Sequence, residues 1–527
     1  MPLKRLSASP MRAFRWVHGR LAKVHPLVLV VTVLALVRLA ILGTYPLMDT
    51  TEARYGAIAR IMADQGDWIT PWFRPGVPFW GKPPLSFWCT ELSFRLFGVN
   101  EFTARLPHWV LGVVSGGVVW GLAMRRSLRE ARLAVALLSG CLIFFVASGA
   151  VWTDMALTLG MTVTMASFWF VVQPAQPDRL SRQARWWFFV SLGWGLLAKG
   201  PVALVLSGLS IAAWLILSPS HRSALVRFPW VRGFALTCLI AGPWYWAAEQ
   251  RTPGFLSYFL IGEHFQRFLV PGWQGDLYGT AHLYPRGTIW LFLLYMLMPW
   301  TILLPLFLWR HLWKTLKSFI IQARHRPSFL PDLVTRGTYS DLPFEDRDWR
   351  VYLICWGLVP VLFFTFSANI IMPYVLPGIP ALALLGASLL AGFDERLIDR
   401  LLFTGLSIML VGSLLFVLVF PFTGYGERRS QRSLIQLYEQ LRAPESRLVY
   451  FGQYPFSAGF YSNHSVRSVF DLPQLSADLD QSGSLFVALP NKNSSPELRD
   501  LADRRLEKIR PFRRFTLFQE RSPSGSS

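Results

Sequence analysis

The sequence predicts an α-helical polytopic membrane protein with about eleven transmembrane helices and a small C-terminal α/β domain. Three observations support this fold class. Hydrophobic residues make up 53% of the 527 residues and charged residues only 16%, whereas soluble domains usually carry about 25% charged residues. Apolar runs long enough to cross a bilayer recur as far as residue 422. The net charge of +21 accompanies 23 Trp and 40 Phe, which is typical of a membrane protein with basic loops on one face.

The first apolar run, 26–46, follows a basic segment, 1–25, that contains no acidic residue. Because no cleavage site of the A-x-A type follows this run, we expect a retained signal anchor with a cytoplasmic N-terminus. The apolar region 187–218 is interrupted by Lys199-Gly200-Pro201, so it could form two short helices or one broken helix. The other predicted spans of the membrane domain, 26–422, are approximately 108–124, 133–150, 155–173, 187–198, 200–218, 233–248, 288–309, 351–367, 374–391 and 401–422.

The distribution of charge supports this topology. The segments assigned to the cytoplasm carry a net charge of +16, whereas the two long outer loops, 47–107 and 249–287, are each neutral. Basic residues are enriched in cytoplasmic loops, so the surplus reflects orientation, and we expect membrane lipids but no nucleic acid as partners. The apolar content also excludes a disordered chain. The four cysteines form no CxxC pair, which disfavours a disulfide scaffold or a zinc ribbon.

The C-terminal segment, 423–527, differs from the rest in having short strands. Strands are predicted at 447–452, 484–490 and 515–520, and a helix at 495–508. A domain of about 100 residues is large enough to hold its own core. An odd number of crossings places this domain outside the cytoplasmic membrane.

The first outer loop contains two predicted helices. Tyr55, Ile58, Ala59 and Met62 have the spacing of one helical face, which predicts an amphipathic helix over Thr51–Ala63 whose apolar side faces lipid or the helix bundle. The second helix, Leu85–Phe97, has Pro83-Pro84 before its start and Gly98 after its end.

Two kinds of charged residue in this loop are candidates for chemistry. Asp49 and Glu52 are three positions apart, which resembles a capping box, but a carboxylate here could also orient or deprotonate an acceptor. These two interpretations are compatible. A loop lysine such as Lys82 ordinarily snorkels or is solvated. Here two prolines restrict the adjacent backbone, and a lysine fixed at a membrane surface suits a phosphate.

The ordered motifs of this loop carry a family resemblance: Asp49-Thr-Thr-Glu52-Ala-Arg54-Tyr55, Gly66-Asp67-Trp68 and Lys82-Pro83-Pro84. The sequence resembles the GT-C class of polytopic glycosyltransferases that use polyprenyl-phosphate sugars. Within that class it is similar to the lipid A aminoarabinose transferases and the protein mannosyltransferases. The resemblance implies an inverting sugar transfer from a polyprenyl-phosphate carrier, such as undecaprenyl phosphate, to lipid A, another glycan or a protein. It implies a bacterial inner-membrane enzyme whose C-terminal domain is periplasmic.

The resemblance also implies roles for individual residues. Asp49 or Glu52 would activate the acceptor, with Asp154 in support. Lys82 and Arg267 would hold the carrier phosphate, because a guanidinium can donate two parallel hydrogen bonds to it. The other residues that would bind the donor are Arg54, Tyr55, Lys199, His264 and Tyr374.

The sequence departs from the family pattern at three places. Thr51 occupies the position of the first acid of the commonest motif, so either Asp49 or Glu52 carries its role. In the aminoarabinose branch, a glutamate before the loop lysine contributes to a metal site with the histidine. Gly81 stands in that place here, so no cofactor is assigned, and a divalent metal stays an alternative that the missing ligand disfavours. Ile371 lies near the position of a lysine usual in the family. Arg38, inside the first span, is a further functional candidate without an identified partner.

Two other classes of protein fit the sequence less well than an enzyme does. A transporter or lipid flippase predicts inverted repeats and broken helices near the bilayer midplane. The sequence has no internal repeat, and its polar residues gather at the outer helix ends. A non-catalytic scaffold would not require Asp49, Lys82 and Arg267 to act together. The chain also lacks a P-loop or dinucleotide motif, as expected when no nucleotide enters the site.

Overall fold

A computed structural model describes residues 25–173, 178–279, 282–307, 309, 344–367, 369–481, 484–492 and 495–521. The predicted basic N-terminal segment therefore lies outside the described residues, apart from His25. In the first half of the membrane domain, the helices are α1 Pro26–Ala40, α2 Thr51–Gln65, α3 Leu85–Phe97, α4 Glu101–Met124, α5 Leu128–Ser139, α6 Leu142–Ala147, α7 Asp154–Val172, α8 Arg179–Lys199, α9 Val202–Leu217 and α10 Trp230–Arg251. In the second half they are the π-helix α11 Ser257–Gln266, then α12 Thr288–Met296, α13 Trp300–Phe307, α14 Phe344–Thr365, α15 Ile379–Leu390 and α16 Glu395–Val419.

The described part of the chain contains six helices that are long and apolar enough to cross a membrane, or up to eight if each of two bent helix pairs counts as one span. The bent pairs are Pro219–Arg227 with α10, at 71°, and α12 with α13, at 79°. Helices α5 and α9 have only 12 and 16 residues, and α8 begins with three arginines in its first seven residues. The predicted count of eleven crossings therefore stays a prediction. The six helices are Pro26–Gly43, Glu101–Met124, Asp154–Val172, Asp346–Thr365, Met372–Leu390 and Glu395–Phe422.

Two glycines lie where the predicted apolar runs are divided into separate helices. The predicted span 133–150 is divided at Gly140, where an added Cβ would lie 2.4 Å from the Trp300 ring. The region 187–218 forms two helices, α8 and α9, separated at Gly200. That residue has φ +82°, and an added Cβ would lie 2.6 Å from Phe259. Because glycine alone fits there without strain, α8 ends at Lys199.

The two helices predicted in the first outer loop are confirmed as α2 and α3, and α3 has the predicted bounds. A short hairpin between them, β1 Trp72–Arg74 and β2 Val77–Pro78, was not predicted. All four residues of the predicted apolar face of α2 are buried, and the helix packs against α3 and against the C-terminal domain. The expectation that this face could lie toward lipid is therefore wrong, because protein covers it.

The strands of the C-terminal domain are β3 Arg447–Phe451, β4 Arg467–Val469, β5 Leu485–Pro490, β6 Leu506–Pro511 and β7 Phe515–Glu520. They form one five-stranded sheet in the order β4-β3-β5-β7-β6. Strands β3, β4 and β5 are parallel, and β7 pairs antiparallel with β5 and β6. The helix predicted over 495–508 ends at Arg505, because the chain continues as β6, a largely exposed edge strand that pairs with β7. The helices are α17 Tyr425–Arg429, α18 Arg432–Leu441, α19 Phe456–Tyr461, α20 Leu472–Leu479 and α21 Pro496–Arg505.

The C-terminal domain rests on the first outer loop through polar contacts. Tyr461 donates its hydroxyl to Glu101 at 2.9 Å and accepts a hydrogen bond from the backbone of Leu47 at 2.8 Å. Arg74 donates to the carbonyl of Tyr454 at 3.1 Å, and its guanidinium lies 4.2 Å from the centre of that ring. These contacts hold the domain against the loop 47–107.

Candidate active site

A cavity of about 1450 Å³ lies between the membrane helices, the loops 47–107 and 249–287, and the C-terminal domain. The sequence separates the contributing residues by hundreds of positions, and the fold brings them to one place. Nine of the ten predicted site residues line this cavity; the exception is His264. The nine are Asp49, Glu52, Arg54, Tyr55, Lys82, Asp154, Lys199, Arg267 and Tyr374.

Glu52 is held by a buried arginine that sequence reasoning missed. Nε and Nη2 of Arg105 donate to the two carboxylate oxygens of Glu52, each at 2.7 Å. The Arg105 side chain is fully buried, and it also donates to the backbone carbonyls of Leu42 and Tyr45 at 2.6 and 2.8 Å. This bidentate pair fixes the end of α1 and the start of α2. Glu52 is therefore the counter-ion of Arg105.

Asp49 is held by the C-terminal domain. Its Oδ1 accepts from the backbone N–H of Ser457 at 2.9 Å, and its Oδ2 accepts from the Ser457 hydroxyl at 2.6 Å. Burial raises the pKa of the Asp49 carboxyl, although the bonds from Ser457 and the charge of Arg514 lower it. The predicted capping box is wrong, because the carboxylate faces Ser457 and Thr50 is the residue before α2. Glu52 instead accepts from the backbone N–H of Met48 at 3.3 Å.

Lys82 and Arg267 meet at one carboxylate, Glu263. Lys82 Nζ lies 3.0 Å from Glu263 Oε2, and Arg267 Nη1 lies 3.0 Å from Oε1. Asp276 is also paired with Arg267, at 3.2 Å. Burial raises the pKa of Glu263, but the two cations hold it below its usual value. The sequence offered one signal for Glu263, namely its position four residues before Arg267 on a helix.

Asp154 and Lys199 form an ion pair beside Tyr374. Asp154 is the first residue of α7 and Lys199 the last residue of α8, so the helix ends bring the charges together. Lys199 Nζ also lies 4.7 Å from the centre of the Tyr374 ring. A carboxylate at the end of a membrane helix is costly unless it is paired, and this pairing satisfies that requirement.

Arg54 lies among aromatic rings and has no carboxylate within ion-pair distance in the described part of the chain. Its Nη1 donates to the carbonyl of Tyr278 at 2.7 Å. The guanidinium lies 5.3 Å from the ring centre of Tyr55 and 5.8 Å from those of Phe79 and Phe456. Such stacking leaves the positive charge of Arg54 available to an anion in the cavity.

Arg38 has a partner that the sequence did not reveal. Its Nε and Nη2 donate to the backbone carbonyls of Phe145 and Val146, each at 3.0 Å, and Nη1 donates to the hydroxyl of Tyr45 at 3.3 Å. The carbonyls belong to the last turn of α6, whose free acceptors favour a cation. Arg38 thus satisfies free carbonyls at the end of α6, and its side chain lines the cavity.

His264 lies outside the cavity. Its Nδ1 is 2.7 Å from the carbonyl of Phe259, and its ring packs edge-on against the Phe259 ring. Burial lowers the pKa of His264, which favours the neutral imidazole. Since Gly81 supplies no ligand atom and Nδ1 faces a carbonyl, these two positions do not fit a metal site. Within the described ranges, three potential ligands converge at His25, Glu395 and Asp399, near the starts of α1 and α16.

Comparison with known proteins confirms the resemblance. Residues 27–259 match the family model for dolichyl-phosphate-mannose-protein mannosyltransferase. An undecaprenyl phosphate-alpha-4-amino-4-deoxy-L-arabinose arabinosyl transferase from Edwardsiella ictaluri is 31% identical over 373 residues, covering 69% of this chain and 59% of that protein. A protein of the same name from Erwinia tasmaniensis is 28% identical over 345 residues, covering 64% and 54%. The matched part of the chain thus spans less than two thirds of these relatives.

Solved structures extend the likeness to almost the whole chain. The crystal structure of ArnT from Cupriavidus metallidurans bound to undecaprenyl phosphate has a TM-score of 0.73 and 19% identity, covering 95% of this chain and 99% of that one. The apo form of the same protein gives a TM-score of 0.71. At this identity the likeness concerns the fold. It confirms the predicted fold class, a GT-C-like multi-pass helical membrane protein with a small C-terminal sheet region.

Proposed function

We propose that this chain is an inverting membrane glycosyltransferase that moves a sugar from a polyprenyl-phosphate carrier to a cell-envelope acceptor. The observation that carries the proposal is one cavity that contains both a buried carboxylate, Asp49, and several cations suited to a phosphate. The names of the relatives support undecaprenyl phosphate as the carrier. The sites of both substrates then lie on the outer face of a bacterial inner membrane, with the C-terminal domain periplasmic.

The carrier phosphate binds at the wall formed by Lys82 and Arg267. Their shared partner, Glu263, holds both cations in place, so little side-chain freedom is lost when the phosphate binds. Arg54 has no ion-pair partner among the described residues and adds an uncompensated positive charge. As the bond between sugar and phosphate breaks, negative charge grows on the leaving phosphate, and these prearranged cations stabilise it.

Asp49 is the carboxylate that orients and deprotonates the acceptor. Glu52 is less suited, because it is the counter-ion of the fully buried Arg105, whereas both hydrogen bonds to Asp49 come from the neutral Ser457. The raised pKa of Asp49 makes its carboxylate a stronger base than an exposed aspartate. The acceptor oxygen then attacks the anomeric carbon from the face opposite the phosphate, which inverts the configuration. Asp154, paired with Lys199 in the same cavity, supports the Asp49 carboxylate.

The first candidate acceptor is lipid A or another glycan, as the resemblance to the lipid A aminoarabinose transferases implies. Protein is the second candidate, because the matched family model describes protein mannosyltransferases. These acceptors can be distinguished by supplying purified chain with labelled polyprenyl-phosphate sugars and with lipid A, glycan or periplasmic protein in parallel. Label transfer to lipid A or a glycan would support the proposal, and transfer to protein alone would support the second candidate.

The same preparation separates the enzyme from a flippase. Reconstituted in vesicles without an acceptor, an enzyme of this kind leaves labelled carrier lipid on its original leaflet. Movement of the lipid across the bilayer, together with no sugar transfer to any acceptor, would overturn the proposal and favour transport.

A further inference from the structure

The contact between Asp49 and Ser457 joins two distant parts of the chain. The residues are 408 positions apart, and Ser457 lies near the start of α19 in the C-terminal domain. Each oxygen of the carboxylate accepts one hydrogen bond from this serine, at 2.9 and 2.6 Å. Ser457 is fully buried and the Asp49 side chain is 4% exposed. Two bonds from one residue fix both the position and the rotation of the carboxylate.

The Ser457 hydroxyl is itself oriented by the C-terminal domain. The backbone N–H of Gln431 donates to its oxygen at 3.0 Å, so the hydroxyl proton is directed toward Asp49. The other charged or titratable groups that face Asp49 in the described structure are Arg514, at 3.7 Å, and the buried phenol of Tyr450. Arg429 contributes only its backbone carbonyl, which accepts from the Asp49 N–H at 2.7 Å.

The C-terminal domain also forms part of the cavity wall. Gln453, three residues before α19, and Phe456, its first residue, line the cavity, and Phe456 packs against the guanidinium of Arg54. The helix α19 packs on α2, which follows Asp49 in the chain. The short segment at the start of α19 therefore both lines the cavity and holds Asp49.

We propose that Ser457 is a positioning residue of the sugar-transfer site, through which the C-terminal domain fixes the orientation of the Asp49 carboxylate toward the acceptor. The inference rests on the proposed function and adds that the C-terminal domain completes the site. Without the Ser457 hydroxyl, Asp49 keeps the backbone bond but loses the bond to Oδ2. The carboxylate can then rotate, and the loss of a donor to its charged form raises its pKa further.

The test uses the full-length protein in detergent and measures kcat, donor KM and the pH dependence of kcat. For Ser457→Ala we expect kcat to fall by about tenfold to a hundredfold, the usual value of a hydrogen bond to a charged group. Donor KM should stay near that of the wild type, and the acidic limb of the pH profile should move to higher pH. Ser457→Thr, which keeps a hydroxyl, should restore part of the rate.

Two further variants keep the test decisive. Ser465→Ala is the matched control, because its hydroxyl donates within the same domain, to the carbonyl of Ser462 at 2.7 Å, and does not contact Asp49. If Ser457→Ala does not fold, Arg514→Gln replaces a half-exposed residue and should move the acidic limb in the same direction. A wild-type pH profile and kcat in a folded Ser457→Ala or Arg514→Gln variant would overturn the inference. No transfer by the wild type would instead overturn the proposed function.

Discussion

Arg105 donates to both carboxylate oxygens of Glu52 at 2.7 Å, and this pair distinguishes Glu52 from Asp49, the two acids that the sequence left as alternatives. A carboxylate that neutralises a fully buried arginine cannot take up a proton without leaving that charge unpaired. The pair therefore supports Asp49 as the base and Glu52 as the residue that fixes the first outer loop. Each assignment has its own consequence for stability or rate.

The first prediction concerns stability. Glu52→Gln leaves the Arg105 charge buried without its counter-ion and should lower the free energy of unfolding by about 3–5 kcal/mol. Thermal or denaturant unfolding of the detergent-solubilised protein measures this change. Asp500→Asn is the control, because its pair with Arg504 is exposed and should contribute little. A Glu52→Gln variant as stable as the wild type would show that the pair is not needed to hold the loop.

The second prediction concerns the carrier phosphate. Lys82→Ala should weaken binding of undecaprenyl phosphate by about tenfold or more, because it removes a charge-assisted contact from a partly buried wall. Glu263→Gln should also weaken binding, since Lys82 and Arg267 would lose the group that holds them together. Equilibrium titration with the unsugared carrier measures both. Arg251→Gln is the control, because this half-exposed outer-loop arginine pairs with Asp67 at 3.4 Å. Equal affinities in all these variants would contradict the assignment.

The third prediction concerns pH. Asp49 must be ionised to accept a proton, and burial raises its pKa above the ordinary value of 3.8. The rate should therefore be full above the raised pKa and should fall as the pH drops through it, earlier than for an exposed aspartate. Glu263 cannot account for such a limb, because neighbouring cations hold its pKa below the usual value. A profile of kcat at saturating donor tests this, and a rate that stays flat down to pH 4 would contradict it.

The fourth prediction concerns the break between α8 and α9. Gly200→Ala places a Cβ 2.6 Å from Phe259 on a backbone with φ +82°, which should destabilise the protein by about 1–3 kcal/mol. Lys199 would move with the end of α8, so the transfer rate should fall as well. Gly208→Ala, in open space within α9, is the matched control and should be neutral or slightly stabilising. A Gly200→Ala variant that matches Gly208→Ala would show that the break tolerates a side chain.

Local signals in the sequence predicted the parts of the fold that depend on local spacing. Helix α3 has its predicted bounds because Pro83-Pro84 and Gly98 mark its two ends. The sequence predicts three of the five strands of the C-terminal sheet, but it predicts the first three residues of β6 as the end of a helix. The mostly exposed side chains of β6 lack the alternation that marks a half-buried strand.

The contacts that organise the site could not be predicted in the same way. Arg105 meets Glu52 across 53 positions, Lys82 meets Glu263 across 181, and Ser457 meets Asp49 across 408. Such pairs depend on how the helices and the C-terminal domain pack, and no local pattern in one sequence records that packing. The capping-box expectation for Asp49 is wrong for this reason, since a tertiary partner replaced the local one.

The central claim is that Asp49 activates the acceptor for sugar transfer from a polyprenyl-phosphate donor. It is tested most directly by the transfer rate of purified Asp49→Asn, at saturating donor and acceptor, against the wild type. Asparagine keeps the shape of the side chain but cannot accept a proton, so the rate should fall by about a hundredfold or more while carrier binding stays unchanged. A folded Asp49→Asn variant that transfers sugar at the wild-type rate would contradict the claim.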